Sequence, residues 1–370
     1  MSSFHVELKK VVDNTYDVEI GAGLVENFIE DMKNGLDGGV KKLAVITDSV
    51  VEGLYGGPIC QALCEAGYNA ELFVFPAGEQ NKSRQSKELI EDAMISRGYR
   101  RDCMVIAVGG GVVSDLAGFV AGTYGRGVPF VNYATTLLAA ADAAIGGKTA
   151  VDTPVATNLI GLIYQPKKVY VDIKTWETLP KEHMINGLAE TVKHACLADM
   201  VLFEYLEEHY EEIINCNPDS CTYISEHNCD VKYKVVMEDE HEANLREVLN
   251  LGHTVGRAIE TVSEYKLLHG EAVSIGLVAQ AKLGQKLGYM TAEEVTRLVA
   301  LLEKIGLPVA IPDYIDKDAL VKKLYTDKKV RDGKLRFVFQ KGIGDVMRFA
   351  DGKYAEPISE PEISAIIDVM

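Results

Sequence analysis

Along the first half of the chain, short apolar and β-branched runs alternate with segments whose apolar residues recur every three or four positions. The runs are KKLAVITDS (41–49), NAELFVFPAG (69–78), DCMVIAVGGG (102–111), VPFVNYATT (128–136) and KKVYVDI (167–173). Bounded by turn residues and separated by helical stretches such as GGPICQALCEAG and SRQSKELIEDAMISRG, they read as buried strands of a parallel sheet. After Trp176 the texture changes. From about Lys181 the chain is mostly amphipathic helix, as in EHMINGLAETVKHACLADMVLFEYLEEHYEEI and TAEEVTRLVALLEKIG. The pattern predicts an α/β domain over 1–176 and an all-α domain over 177–370. No internal repeat interrupts it.

Composition narrows the partners more than the fold. A length of 370 residues is enough for two domains and a large core. The formal charge of −17 repels a phosphate backbone and argues against nucleic acid, while leaving room for a small anion held by cations that converge in a cleft. Seven cysteines, an odd number with no C-x-x-C pair, read as reduced thiols of a cytoplasmic protein. No run reaches the ~18 apolar residues of a membrane span, and MSSFHVELKK has no signal-peptide core.

Candidate chemistry gathers in a few places. His253 follows a Leu-Gly break at a helix start, and His269 follows two leucines before Gly-Glu-Ala. Imidazoles so placed suit a metal, and the helical segment NGLAETVKHA offers Glu190 as a third ligand, with Lys193 and His194 within a turn of it. The run Gly109, Gly110, Gly111 ends a strand and opens a helix, a place where bare backbone N–H groups bind pyrophosphate or simply make a tight turn. Asp48, closing an early strand, is placed to bind a ribose hydroxyl or to cap a turn. In TTLLAAADAAIGGKTAVDT, Asp142 interrupts a small-residue helical run and Lys148 stands beside two glycines. Arg126 in TYGRG adds a further anion contact or a solvated surface charge. Lys232, Arg246 and Asn250 bracket an acidic run just before the histidines, with Arg246 and Asn250 assigned to one helical face.

Taken in order, these clusters resemble the sugar phosphate cyclases, most closely the 3-dehydroquinate synthases. The resemblance is carried by GEQNKS (78–83), GGGVVSDLAGFVAGTYGRG (109–127), TTLLAAADAAIGGKT (135–149), NLIGLIYQP (158–166), GLAETVKH (187–194), LNLGHTVG (249–256), LHGEAV (268–273) and DKK (327–329). It implies a Rossmann-like NAD-binding domain, a helical metal- and substrate-binding domain, and a site in the cleft between them. Glu190, His253 and His269 then resemble the ligands of zinc or cobalt. Asp48, Glu79, Lys82, Gly109 to Gly111, Asp115, Thr135, Thr136, Asp142 and Lys148 match NAD-side positions. Lys148, Asn158, Lys193, Lys232, Arg246, Asn250, Arg257 and one of Lys328 or Lys329 match substrate positions, and Lys329 is taken as the match. Arg126 matches a residue that reaches into the partner subunit's site of a homodimer. The implied reaction is NAD- and metal-dependent conversion of a carboxylated seven-carbon sugar phosphate to a carbocycle with loss of phosphate.

Two positions depart from that pattern. Arg257 stands where a second histidine is usual in HTxGHA, and Ala156-Thr157 stand where Gly-Lys usually precede NLIG. Arginine binds an anion but does not accept a proton at neutral pH. Both changes bear on the substrate rather than the fold. They keep open an amino-dehydroquinate synthase, a sedoheptulose 7-phosphate cyclase, a metal-dependent polyol dehydrogenase and a relative that binds NAD and metal without turnover.

Overall fold

In the computed structural model, residues 12–154, 156–325, 330–331 and 334–370 are described. Lys328 and Lys329 lie outside them, so the position of the lysine expected in DKK is not assigned.

The five expected strands, β2 (Lys42–Asp48), β3 (Ala70–Phe75), β4 (Cys103–Gly109), β5 (Phe130–Ala134) and β8 (Lys168–Asp172), are joined by an unexpected β1 (Asp17–Gly21) in one six-stranded sheet, in the order β1-β8-β5-β4-β2-β3. Every pairing in it is parallel. All seven residues of β4 are buried, which is why CMVIAVG is continuously apolar: both faces of the sheet are covered. On one face lie α1 (Val25–Asp31) and α2 (Gly57–Glu65), whose Phe28, Ile59 and Leu63 share a cluster with Val45 and Ile106. On the other, α3 (Arg84–Ser96) and α4 (Gly111–Thr123) pack Ile90, Leu116 and Val120 on Ala44 and Val105. The chain leaves β2 toward β3 on one side and returns to β4 on the other. The ends of β2 and β4, carrying Asp48 and Gly109, therefore flank the point where strand order reverses.

Between β5 and β8 the chain makes an antiparallel hairpin of β6 (Lys148–Thr153) and β7 (Ala156–Ile163). NLIG, one of the family-like segments, is thus half of a hairpin strand.

The second half is helical, with α5 (Lys181–Ala198), α6 (Met200–Ile214), α7 (Pro218–Glu238), α8 (His253–Val262), α9 (His269–Lys286), α10 (Ala292–Ile305), α11 (Lys317–Leu324) and α12 (Glu360–Asp368). To the all-α expectation the structure adds a three-stranded sheet of β9 (Val330–Arg331), β10 (Lys334–Val338) and β11 (Ala355–Ile358). The segment KLRFV alternates polar and apolar residues, a two-residue period that a prevailing helical texture hides. A second correction concerns LREVLN. It is a 3-10 turn, Leu245–Asn250, so Arg246 and Asn250 do not share the face of a regular α-helix.

Glycines set the helix spacing around α9. A Cβ on Gly276 would overlap the Gly252 carbonyl, and one on Gly270 would overlap the Asn186 carbonyl. Only hydrogen at these positions lets the start of α8 approach the middle of α9, and the start of α9 approach α5.

Candidate active site

Glu190 lies mid-way along α5, while His253 and His269 are the first residues of α8 and α9. Their ligand atoms lie within 4.8 Å of one another. Glu190 Oε1 is 3.4 Å from His253 Nε2 and 3.2 Å from His269 Nε2. Each ring is fixed from behind. His253 Nδ1–H donates to the Leu251 carbonyl at 3.1 Å, and His269 Nδ1–H donates to Glu260 at 2.9 Å. Both hydrogen bonds leave Nε2 turned toward Glu190, the tautomer that ligates a metal.

Burial opposes charge on the His269 ring, but Glu260 and Glu190 outweigh it and push its pKa up to about 10. Burial holds the His253 ring well below its ordinary value. Burial favours a neutral Glu190, yet Lys193, His253 and His269 keep it ionised. One carboxylate and two imidazoles, with their rear nitrogens occupied, fit a divalent cation with room for further ligands. Asp142, Glu190 and His194 form another close group. His194 Nδ1 is engaged by Asn228, while Lys193 and Lys232 crowd Asp142, so a cation there would meet two ammonium groups.

Beside the triad opens a cavity of about 300 Å³ lined by Asp115, Asp142, Lys148, Asn158, Lys232, Glu242, Arg246, Asn250, His253 and Arg257, among others. Its cations differ in how they are engaged. Lys232, buried on α7, donates to Asp142 Oδ1 at 2.5 Å. Lys193 is 3.9 Å from the same carboxylate and pairs with Glu190. Arg246 donates to the carbonyls of Glu240 at 2.5 Å and Gly146 at 2.7 Å. Glu242 spans the mouth, with Oε2 2.7 Å from Lys148 Nζ and Oε1 accepting from Asn250 Nδ2 at 2.8 Å. Burial pulls Lys148 down to about 8, against the pull of Glu242. Arg257, half-buried one turn along α8 from His253, pairs with no carboxylate among the described residues.

The cofactor-side residues also converge. Gly110 is extended before α4, whose first turn carries no side-chain cap. A Cβ on Gly109 would collide with Val113, and one on Gly110 would press on Thr136. The bare helix start is a cradle for a phosphate. Thr135 N–H donates to the Gly109 carbonyl at 3.0 Å, and its buried Oγ1 has no partner among the described residues. Asp48 stands across the reversal point and uses Oδ1 to accept from the N–H groups of Val50 and Val51, so its turn role is real and engages one oxygen. Lys82, buried, pairs with Glu79 and lies 3.5 Å from Asp115. Burial lifts Asp115 to about 7, despite Lys82. An uncapped glycine turn, an orphan hydroxyl and a strand-end carboxylate fit a dinucleotide.

Arg126, at φ 70° after α4, is exposed and does not line the cavity. Of the other expected positions, Asp115, Asp142, Lys148, Asn158, Lys232, Arg246, Asn250, His253 and Arg257 line the cavity, whereas Asp48, Glu79, Lys82, Gly109 to Gly111, Thr135 and Thr136 are not in its lining, and Lys329 lies outside the described residues.

The family model for the 3-dehydroquinate synthase N-terminal domain matches residues 72–186, and that for the C-terminal domain matches residues 187–330. The chain belongs to the 3-dehydroquinate synthase family. The 3-dehydroquinate synthase of Pelobacter propionicus is 42% identical over 335 residues, covering 90% of this chain and 92% of its own. The structure of 2-epi-5-epi-valiolone synthase from Streptomyces hygroscopicus subsp. jinggangensis, with NAD+ and Zn2+ bound, is similar with a TM-score of 0.87 at 29% identity, covering 99% of each chain. That of 2-deoxy-scyllo-inosose synthase complexed with carbaglucose-6-phosphate, NAD+ and Co2+ gives 0.86 at 25% identity and 95% of each chain.

Within this family member, several contributing residues escape a reading of motifs. Glu260 backs His269 from a position seven residues after His253, a helical spacing that offers the only sequence signal. Asn186, one turn before Glu190, accepts the Gly270 N–H at 2.5 Å through Oδ1 and so fixes the residue next to His269. Gln280 accepts the Gly252 N–H and donates to the Val338 carbonyl at 2.6 Å, holding the left-handed turn that precedes His253. Glu242 was hidden in a run of acidic residues. The Asn186 and Gln280 contacts join residues far apart in sequence and carry no local signature.

Proposed function

We propose that this chain is a 3-dehydroquinate synthase, converting 3-deoxy-D-arabino-heptulosonate 7-phosphate to 3-dehydroquinate with elimination of phosphate in the shikimate pathway. The observation that carries the reading is the adjacency of the Glu190, His253, His269 triad to a cavity with several cations and the family match. NAD+ and zinc or cobalt supply, when bound, reversible hydride chemistry at a ring hydroxyl and a Lewis-acidic template for it.

The residues divide the remaining work. Glu190, His253 and His269 hold the metal. The Gly109 to Gly111 turn takes the pyrophosphate and Asp48 the ribose, which favours NAD+ over NADP+ because a 2′-phosphate would face a carboxylate. Glu79, Lys82, Asp115, Thr135, Thr136 and Asp142 line the rest of the cofactor's path, with Lys148 where cofactor and substrate meet. Lys148, Asn158, Arg257 and Lys329 bind the substrate phosphate, with Arg126 contributed to the partner's site in a homodimer. Lys232 and Arg246 take the carboxylate, each exchanging or sharing a present acceptor. Asn250 and Lys193 orient the hydroxyls nearest the metal. Arg257 neutralises an anion without accepting a proton, so proton removal falls to another base, including the departing phosphate. The proposed division of the chain falls at residue 176, and a cytoplasmic location is proposed with it from the reduced-thiol reading of the cysteines. No helix among the described residues is long and apolar enough to cross a membrane.

The deciding assay follows phosphate and NADH together on a panel of sugar phosphates. Phosphate release from the carboxylated seven-carbon substrate, with no NADH accumulating, is the expected result. Net NADH formation on polyols would replace this reading with a dehydrogenase, and turnover confined to sedoheptulose 7-phosphate would shift it to a related cyclase.

A further inference from the structure

The β6–β7 hairpin carries Lys148 and Asn158 into the cavity, and a single irregularity controls its shape. The register shifts between Val151 and Thr153: with Val151 opposite Ile160 and Thr153 opposite Ala156, Asp152 alone faces Thr157, Asn158 and Leu159, so the extra residues lie on β7. A bulge of this kind bends the strand that carries the extra residues, and the left-handed Asn158 lies within them. The Asp152 carboxylate facing this bulge is 13% exposed and meets Asn158 on one side and Lys82 with Glu79 on the other. Oδ1 accepts the Asn158 N–H at 2.7 Å, and Oδ2 lies 3.5 Å from Lys82 Nζ. The Asp152 backbone joins in, since its N–H donates to the Lys82 carbonyl at 2.7 Å. The hairpin is thereby fastened to the loop before α3, the loop that carries Glu79 and Lys82.

Each contact acts on a strained or costly feature. Asn158 has φ 53°, a left-handed conformation that a non-glycine residue keeps only when held. Its Oδ1 is buried with no partner among the described residues, and the residue lines the cavity. Lys82 is a buried ammonium, and such a charge needs close carboxylates. Asp152 holds Asn158 with one oxygen and with the other joins Glu79 and Asp115 around Lys82.

We infer that Asp152 is a positioning residue that links the cofactor side of the site to its anion subsite: one oxygen holds Asn158 in its left-handed turn, and the other fixes Lys82. The inference rests on the proposed assignment of Lys82 to the NAD+ side and Asn158 to the phosphate. It predicts that the two functions separate by substitution. Asp152→Ala removes both contacts, so NAD+ and inorganic phosphate should each bind about tenfold more weakly. Asp152→Asn keeps an oxygen for the Asn158 N–H but loses the charge opposite Lys82. Phosphate affinity should return to within about threefold of wild type while NAD+ affinity stays reduced. Asn158→Gly, which adopts the same backbone without strain, should weaken phosphate alone.

Titration calorimetry of NAD+ into the protein, and of inorganic phosphate into the NAD+-loaded protein, reads these effects without turnover. Circular dichroism checks that each variant is folded. The link is overturned if folded Asp152→Ala leaves either affinity at the wild-type value, or if Asp152→Asn fails to recover phosphate binding. In variants that turn over, the Asp152→Ala loss should fall on KM for the phosphorylated substrate more than on kcat, and a pure kcat loss would also overturn it. Failure of the proposed reaction would show instead as absent phosphate release by the wild-type protein, whatever these titrations give.

Discussion

At the scale of single residues, Arg257 carries the most specific expectation. It lines the cavity with Lys148, Asn250 and His253, and no carboxylate among the described residues neutralises it. A guanidinium so placed gains a charge-assisted, forked contact with a phosphate. Removing it should cost about 1.5–3 kcal/mol of binding, roughly tenfold or more in KM. Because the contact exists in the bound ground state as well as in the transition state, Arg257→Ala should raise KM while changing kcat little. Arg257→His should retain or improve turnover if the substrate is the usual dehydroquinate precursor. Steady-state phosphate release from both variants checks this, and an unchanged KM in Arg257→Ala would mean that the guanidinium does not meet the substrate. Its place in the cavity was legible from its spacing of one turn after His253. That it would stand apart from the paired cations was not, because the partners of Lys148 and Lys232 come from distant segments.

At the scale of elements, the sequence announced those whose signal is local. Five strands of the large sheet are apolar runs bounded by turn residues, and the starts of α8 and α9 fall at the histidines where glycine and leucine breaks indicated them. The β6–β7 hairpin was legible only as family-like segments, since its exposed residues weaken the alternation. The small C-terminal sheet depends on pairing across the chain and was hidden among helices. Element spacing, too, was invisible, yet it decides the metal triad. Gly270 lets α9 touch α5 at Asn186, and the preceding residue is His269. Gly270→Ala should push the start of α9 away from α5, at about 1–3 kcal/mol for overpacking. His269 would then lose its distance to Glu190. The expected outcome is a protein with wild-type far-ultraviolet dichroism but substoichiometric metal after dialysis, measured by elemental analysis. Full metal content would show that this backbone contact does not set the ligand spacing.

At the scale of the whole molecule, the two halves share one core and one centre. Ala134, Val169 and Val171 of the sheet belong to the same apolar cluster as Leu188 of α5, Ile259 of α8 and Leu277 of α9. Asp142 adds a polar tie from the sheet side to Lys232 on α7 and Lys193 on α5. A chain carrying −17 overall thus keeps Lys193 and Lys232 buried and Lys148 at the cavity, where Glu190, Asp142 and Glu242 hold them in place. Such an arrangement couples metal binding to stability. The triad draws one ligand each from α5, α8 and α9, so it exists only in the folded chain, and an ion bound there stabilises by mass action. At a thousandfold excess over Kd the gain is about 4 kcal/mol. For a chain of this size, chelation should lower Tm on the order of 5 °C, and added zinc should restore it. Because the core is shared, the shift should move a single calorimetric transition and leave no separate sheet transition at its original temperature. Scanning calorimetry before and after chelation, with metal content measured on the same samples, makes the comparison. A Tm unmoved by complete removal of the ion would mean that it was not held jointly by these three helices.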